Sequence, residues 1–413
     1  MTTRRDALGV MAGAGAMAML LPYPKQARAQ AALTPADWPA IEARARGQTV
    51  FFNAWGGDER TNSFIAWAGE QVALRYGVQV SHVKLRDTAE AVTKVVAERQ
   101  AGRDSGGGVD LIWINGPNFL AMKSQTLLYG PFVEAMPNWR LIDAANKPSN
   151  LVDFTVPVDG FAAPWRLAQI VYVFDSARTR REQLPNSTAA MLEWARRNQG
   201  RLTHPNVRNF LGATFLKQAL FDLAPSPQAL QRAADDASFA EATRDLWRWY
   251  DELRPHLWRG GREFPDTGPA QRQLLADGEL DLYIAFSPSE AAVSIANRQL
   301  PPSARVYVPG RGSIGNTSFV AIPYNAAHKE GAMVLANFLL DPATQARAQD
   351  PRILGSFSVL DLGKLAPEQR RLFARPDDAP ALPDNEELGA VLPEPHPSWM
   401  TRITAEWERR YSR

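Results

Sequence analysis

Short apolar runs alternate along this chain with longer stretches whose apolar residues recur every three or four positions. Residues 49–53 form such a run, with Val50, Phe51 and Phe52 as a buried strand that stops at Ala54-Trp55-Gly56-Gly57. Asp58 is a good N-cap for a helix reaching Tyr76, with Phe64, Ile65, Ala68, Val72 and Ala73 on its apolar face and Gly77 to end it. A second strand is predicted over 78–85. Asp87 and Glu90 then have capping-box spacing before a helix carrying Ala89, Val92, Val95 and Val96. Three glycines (106–108) precede a third strand over 109–114. Strand, helix, strand, helix, strand is the rhythm of a parallel sheet covered by helices.

The extended stretch Ile170-Val171-Tyr172-Val173-Phe174 reads as a crossing into a second lobe. That lobe is expected to hold helices near 189–199, 212–223, 239–253 and 269–278 and a strand over 280–286. Strands over 305–308 and 318–322 return the chain toward the first lobe. An amphipathic helix over 327–340 follows, then a helix opened by Asp341-Pro342, a Pro-rich strap over 376–397 and a last helix over 400–411. The predicted architecture is two-lobed α/β, each lobe a mostly parallel sheet flanked by helices, with a ligand cleft at the hinge. Its expected organisation is an export segment over 1–29, first lobe over 30–165, second lobe over 166–305, and a return over 306–413.

The first residues change the picture. Arg4-Arg5 ahead of a weakly apolar run over 7–21, then Lys25 and Ala27-Arg28-Ala29, reads as a twin-arginine signal cut after Ala29. The apolar run is shorter than the ~18 residues a spanning helix needs. Removing 1–29 takes away Arg4, Arg5, Lys25, Arg28 and Asp6, leaving 42 basic and 43 acidic side chains. At a formal charge of −1, nothing suggests a nucleic-acid partner. The chain has no cysteine, which fits an oxidising compartment and removes disulfides, thiolates, iron–sulfur clusters and cysteine-bound zinc. A periplasmic monomer that is not membrane-embedded is expected.

Motifs for chemistry are missing where an enzyme would carry them. The five histidines are scattered, with no pair at helical spacing for a metal, and no nucleophile elbow or Walker-type loop is present. Gly310-Arg311-Gly312-Ser313-Ile314-Gly315 fits G-x-G-x-x-G, but a strand rather than a helix follows it. A pyrophosphate would have no helix N-terminus there. No catalytic residue, cofactor or metal is expected.

Binding features gather instead where strands end, the usual place for ligands in open α/β sheets. Trp55 offers an aromatic face beside Gly56 and Gly57, and Asn115 and Gly116 end the third strand beside Trp113. Trp165 and Arg166 start the crossing strand, where both lobes reach a ligand. In the second lobe Phe210 and Thr214 enter a helix, and Ser287 and Ser289 follow a strand. These eleven residues other than Trp113 are the candidate ligand-binding set.

Several stretches together resemble the type II branch of extracytoplasmic solute-binding proteins, which includes polyamine, thiamine and ferric-ion binders. They are Phe51-Phe52-Asn53-Ala54-Trp55, Val109-Asp110-Leu111-Ile112-Trp113-Ile114-Asn115-Gly116, Ala163-Pro164-Trp165, Asp277-Gly278-Glu279-Leu280-Asp281-Leu282 and Ala321-Ile322-Pro323. Trp55-Gly56-Gly57-Asp58-Glu59-Arg60 is most similar to the YnjB-type subfamily. The resemblance implies an ABC permease and its ATPase as partners, and lobes that close on a small-molecule ligand. Ferric binders of the branch supply adjacent tyrosines, and this chain has no Tyr-Tyr pair. Aromatic faces, with Asp58 and Glu59 at a helix start, favour a thiamine-like ligand or another organic cation. Arg60 and Arg166 leave a carboxylate or phosphate ligand open. The rival readings are a periplasmic carboxylate-dependent, glycosidase-like hydrolase and a module that delivers its ligand to a sensor.

Overall fold

Twelve strands lie among the described residues, several of them, such as Thr49–Trp55 and Val171–Asp175, in runs rich in β-branched and aromatic side chains. They are β1 Thr49–Trp55, β2 Gln79–Leu85, β3 Leu111–Ile114, β4 Val152–Asp153, β5 Val156–Pro157, β6 Ala162–Gln169, β7 Val171–Asp175, β8 Leu202–Thr203, β9 Leu282–Ala285, β10 Ala304–Tyr307, β11 Ser313–Ala321 and β12 Val391–Leu392. The structure, a computed structural model, describes residues 33–310, 312–374, 381–383 and 385–412. The expected export segment over 1–29, Arg311 and part of the Pro-rich stretch lie outside the described residues.

Two sheets divide the strands. The first has the order β12–β11–β3–β1–β2, with β6 also paired to β11, and the second has the order β10–β7–β9–β8. β1 pairs parallel with both β2 and β3. The sheets are mixed rather than mostly parallel. β11 runs antiparallel to β3 and β6, and β7 runs antiparallel to β9 and β10. The reason lies in the connection. β6 and β7 are one extended stretch broken only at Ile170, so each enters its sheet directly, without the crossover helix that a parallel neighbour needs. The chain passes from the first sheet to the second at Ile170 and returns between β10 and β11. The two passages are tied together: Ile170 N donates to Ile314 O (2.9 Å), and the Ser313 hydroxyl donates to Ile170 O (2.7 Å).

The first sheet is covered on both faces. The helices Glu59–Tyr76 and Lys329–Leu339 lie on one side, where Val50, Phe52, Phe64, Ile65, Trp165, Val320 and Phe338 share a core. Val92, Val95, Ile112, Phe119 and Phe319 fill the other. In the second lobe Tyr172, Phe174, Phe215, Leu246, Trp249 and Ile284 pack together, and the last helix, Pro397–Tyr411, adds Trp399, Ile403 and Trp407. That helix packs against Phe210–Leu223 and also reaches Pro117–Ser124 of the first lobe.

Caps fall where the sequence places them. Asp58 accepts from Arg60 N, and Gly77 ends the same helix at φ 67°, a left-handed position suited to glycine. Glu90 reaches back to the Asp87 amide (3.1 Å). β11 begins at Ser313, inside the glycine motif, so the motif runs into a strand rather than a helix, as expected. Five α-helices among the described residues were not expected: Trp38–Ala45, Pro117–Ser124, Glu290–Ala296, Pro367–Arg371 and Asn385–Leu388.

Candidate functional site

A cleft of about 840 Å³ opens between the lobes, and both contribute to its walls. That size suits a small organic molecule rather than a bare ion. Trp55, Asp58, Arg60, Trp113, Asn115 and Arg166 face it from the first lobe, and Phe210, Arg272, Tyr283, Phe286, Ser287 and Glu290 from the second. Four residues of the crossing strands form its floor: Arg166 and Ala168 on β6, and their register partners Ser318 and Asn316 on β11. The helices Glu59–Tyr76, Pro117–Ser124, Phe210–Leu223 and Gly268–Ala276 all begin at the cleft.

The candidate residues divide. Trp55, Asn115, Arg166, Phe210 and Ser287 line the cleft. Gly56, Gly57, Gly116, Trp165, Thr214 and Ser289 are not among the lining residues, and each has a structural place instead. A Cβ on Gly57 would sit 2.4 Å from Cζ2 of Trp55, so this glycine lets the indole lie against its own backbone. A Cβ on Gly56 would meet Lys84 at 2.6 Å. Gly116, at φ 58° and ψ −127°, donates its N–H to Asp153 (2.6 Å). Trp165 is 1% exposed, stacked on Phe64 and edge-on to Trp113. Thr214 is enclosed inside its helix, and Ser289 is buried.

Asn115 lines the cleft, but its amide N–H groups are committed to Asp153 (2.8 Å) and Thr317 O (2.7 Å). Phe210 meets Phe286 edge-to-face at 5.2 Å, giving the second lobe an apolar face opposite Trp55 and Trp113.

One ion pair spans the cleft. Arg60 holds Asp58 of its own lobe through Nε (3.2 Å to each oxygen) and reaches Glu290 of the other lobe through Nη2 (3.3 Å). Glu290 also accepts from Arg272 (2.9 Å) and the Tyr283 hydroxyl (3.2 Å). Burial pushes the Glu290 carboxyl up, but the guanidinium groups of Arg60 and Arg272 outweigh it and hold the group at about 2. Arg60 is raised in turn, the two carboxylates overcoming its burial.

A carboxylate held below its unfolded value, 4.5, adds stability above that value and loses it as pH falls through the folded one. Stability is therefore expected to drop between about pH 4.5 and 2 by on the order of 3 kcal/mol from this group. Urea unfolding across that range checks it. Glu290→Gln should flatten that part of the profile, and an unchanged slope would show that the bridge does not form.

Arg166 stands apart from these pairs. Its Nε and Nη1 are enclosed and have no hydrogen-bond partner among the described residues. The guanidinium lies 5.1 Å from the Trp113 ring centroid and 5.3 Å from that of Trp165. Burial lowers it to about 10, with Asp58 opposing the shift and Arg60 adding to it. Among the described residues, no group of three or more His, Asp and Glu is placed to hold a metal ion. No helix among them is long and apolar enough to cross a membrane.

Both walls hold lining residues outside the candidate set, among them Asp58 and Arg60 in the first lobe and four in the second. Tyr283, Arg272, Glu290 and Phe286 went unchosen, although Glu290 directly follows Ser287-Pro288-Ser289. Its partner Arg60 is 230 positions away, and no local pattern joins the two.

Two lobes joined by crossing strands, with a shared cleft of this size, define a binding protein of the periplasmic type. The bacterial extracellular solute-binding protein family model matches residues 67–352, and the chain belongs to that family. It is 41% identical over 375 residues to protein YnjB of Escherichia coli (strain K12), covering 91% of this chain and 94% of that one. In fold it is similar to the periplasmic binding protein AfuA of Actinobacillus pleuropneumoniae, solved with fructose-6-phosphate bound. The TM-score is 0.62 at 13% identity, covering 89% of this chain and 99% of that one. It is similar also to a putative spermidine/putrescine ABC transporter protein of Listeria monocytogenes, with TM-score 0.61 at 17% identity over 88% and 99% of the two chains.

Proposed function

We propose that this protein is the solute-capturing component of an ABC-type importer, taking a small organic ligand in the periplasm and delivering it to a membrane permease driven by an ATPase. The observation that carries the reading is the cleft itself: about 840 Å³, walled by aromatic side chains of both lobes and crossed by the Arg60–Glu290 pair. A ligand seated there would touch both lobes at once, so its binding energy would favour the closed arrangement. The N-terminal export signal, cut after Ala29, belongs to the same proposal.

The faces of Trp55 and Phe210 suit a flat ligand, and a thiamine-like organic cation over such a face gains roughly 0.5–2 kcal/mol. A second reading of the ligand, an anion, is favoured by the unpaired donors of Arg166. A hydrolase using paired carboxylates fits less well. Glu290, at about 2 and bound to two arginines, offers no proton for a leaving group.

A thermal-shift screen of the mature protein against thiamine, polyamines, amino acids, sugars and phosphate esters tests the proposal. A ligand at ~100 times its dissociation constant stabilises by ~2.7 kcal/mol, a visible rise in melting temperature. Trp55→Ala is expected to lose most of that shift with little change in the ligand-free melting point, because Trp55 is only partly buried at the cleft wall. A full shift in Trp55→Ala would move the ligand elsewhere.

A further inference from the structure

We infer that Arg166 is an anion anchor on the cleft floor, and that the captured solute carries a carboxylate or phosphate group placed against its guanidinium. The inference rests on the solute-capture reading and names the chemical class that the site takes.

Charge in the cleft supports it. The deep carboxylates, Asp58 and Glu290, are held by Arg60 and Arg272. Arg208 pairs with Glu408, and Arg86, Asp87 and Asp266 also line the cleft. Five arginines and four acids line the cleft, and Arg166 is the one among them with enclosed guanidinium donors that have no acceptor among the described residues. Two enclosed donors without acceptors are costly to keep. That cost is recovered when a ligand supplies the acceptors.

The surroundings fit an anion rather than a water-filled gap. The guanidinium lies close to both the Trp113 and the Trp165 rings, 5.1 and 5.3 Å from their centroids, and Arg166 lines the cleft. Ser318, the register partner of Arg166, puts a hydroxyl-bearing side chain on the same floor. The starts of Phe210–Leu223 and Gly268–Ala276 add partial positive charge from the second lobe. Carboxylate and phosphate oxygens match the fork of an arginine, and a cationic group on this floor would meet like charge. The Trp55 and Phe210 faces then take the flat body of the solute.

The test is isothermal titration of the mature protein with matched pairs that differ by one anionic group. Suitable pairs are pyridoxal and pyridoxal 5′-phosphate, glucose and glucose 6-phosphate, tryptamine and tryptophan, and thiamine and thiamine monophosphate. The anionic member of at least one pair is expected to bind tenfold or more tighter than its counterpart. Arg166→Gln should cost that member roughly 10–100-fold while changing its counterpart by less than threefold. Arg166→Lys, which keeps the charge without the fork, should fall between. Ligand-free melting of each variant separates binding from folding, and the wild-type comparison stands even if a variant fails to fold. Equal binding within every pair, tighter binding of the counterparts, or indifference to Arg166→Gln would overturn the anchor and leave solute capture standing. If no compound binds to cooperatively folded wild-type protein, solute capture falls for these classes, and the anchor with it.

Discussion

Lys217→Met is expected to remove about 3–5 kcal/mol of folding stability, because it leaves a buried carboxylate without its cation. Lys217 sits inside the helix Phe210–Leu223 with no solvent exposure, and its Nζ lies 2.6 Å from Glu394, itself 4% exposed. The other Glu394 oxygen accepts from the Asn316 amide on β11 (3.0 Å). The ammonium also lies over the Phe154 and Phe210 rings, at 4.5 and 4.9 Å. Burial lowers the lysine and raises the glutamate, each opposed by its partner. One pair thus fastens a second-lobe helix, a crossing strand and the segment before the last helix. Urea unfolding should show the loss for Lys217→Met and a comparable one for Glu394→Gln. The double replacement Lys217→Met with Glu394→Leu should recover much of it, since an apolar pair has no stranded charge. A single-variant cost below about 1 kcal/mol would mean that water reaches the pair.

The strands and their caps were legible because they are local. Val50 and Phe52 announce β1, although Phe51 between them is exposed rather than buried, because successive strand residues face opposite sides. Asp58 and Gly77 bracket a helix, and the G-x-G-x-x-G stretch runs straight into a strand. The site was legible only to the level of a strand end. Trp165 and Arg166 are neighbours on β6, and successive strand residues point to opposite faces. One of the two had to face the cleft and the other the core, and the local sequence does not state which. Ser287 and Ser289 divide the same way around the start of a helix. Gly57 reads as a place for a ligand to approach, but its room is taken by the Trp55 ring. What stayed hidden was long-range: the Arg60–Glu290 bridge, and the shortage of acceptors around Arg166, which shows only once every neighbour is in place. Pro117–Ser124 follows directly on the strand end at Asn115 and Gly116, and its proline occupies the first turn of the helix, where its missing N–H costs nothing.

The contrast between the two tryptophans gives the second large expectation. Trp165→Ala should cost about 3–5 kcal/mol, the usual range for emptying an aromatic site in a core. Trp165 packs face-on to Phe64 at 6.3 Å and edge-on to Trp113 at 5.0 Å, and its carbonyl accepts from Gln345 (2.6 Å). Its indole N–H has no partner among the described residues, so Trp165→Phe, which keeps a ring and sheds that donor, should cost less than half as much. Trp165→Ala should also weaken any anionic ligand, because the Arg166 guanidinium lies close to both the Trp165 and the Trp113 rings. Trp55 packs on its own glycine at the cleft wall and supports nothing comparable, so its removal should act on binding and spare the melting point. Chemical unfolding and ligand titration on both variants separate the roles. If Trp165→Ala kept full stability and lost only binding, the indole would have to turn out of the core toward the ligand, and the floor of the cleft would be built differently from the one described.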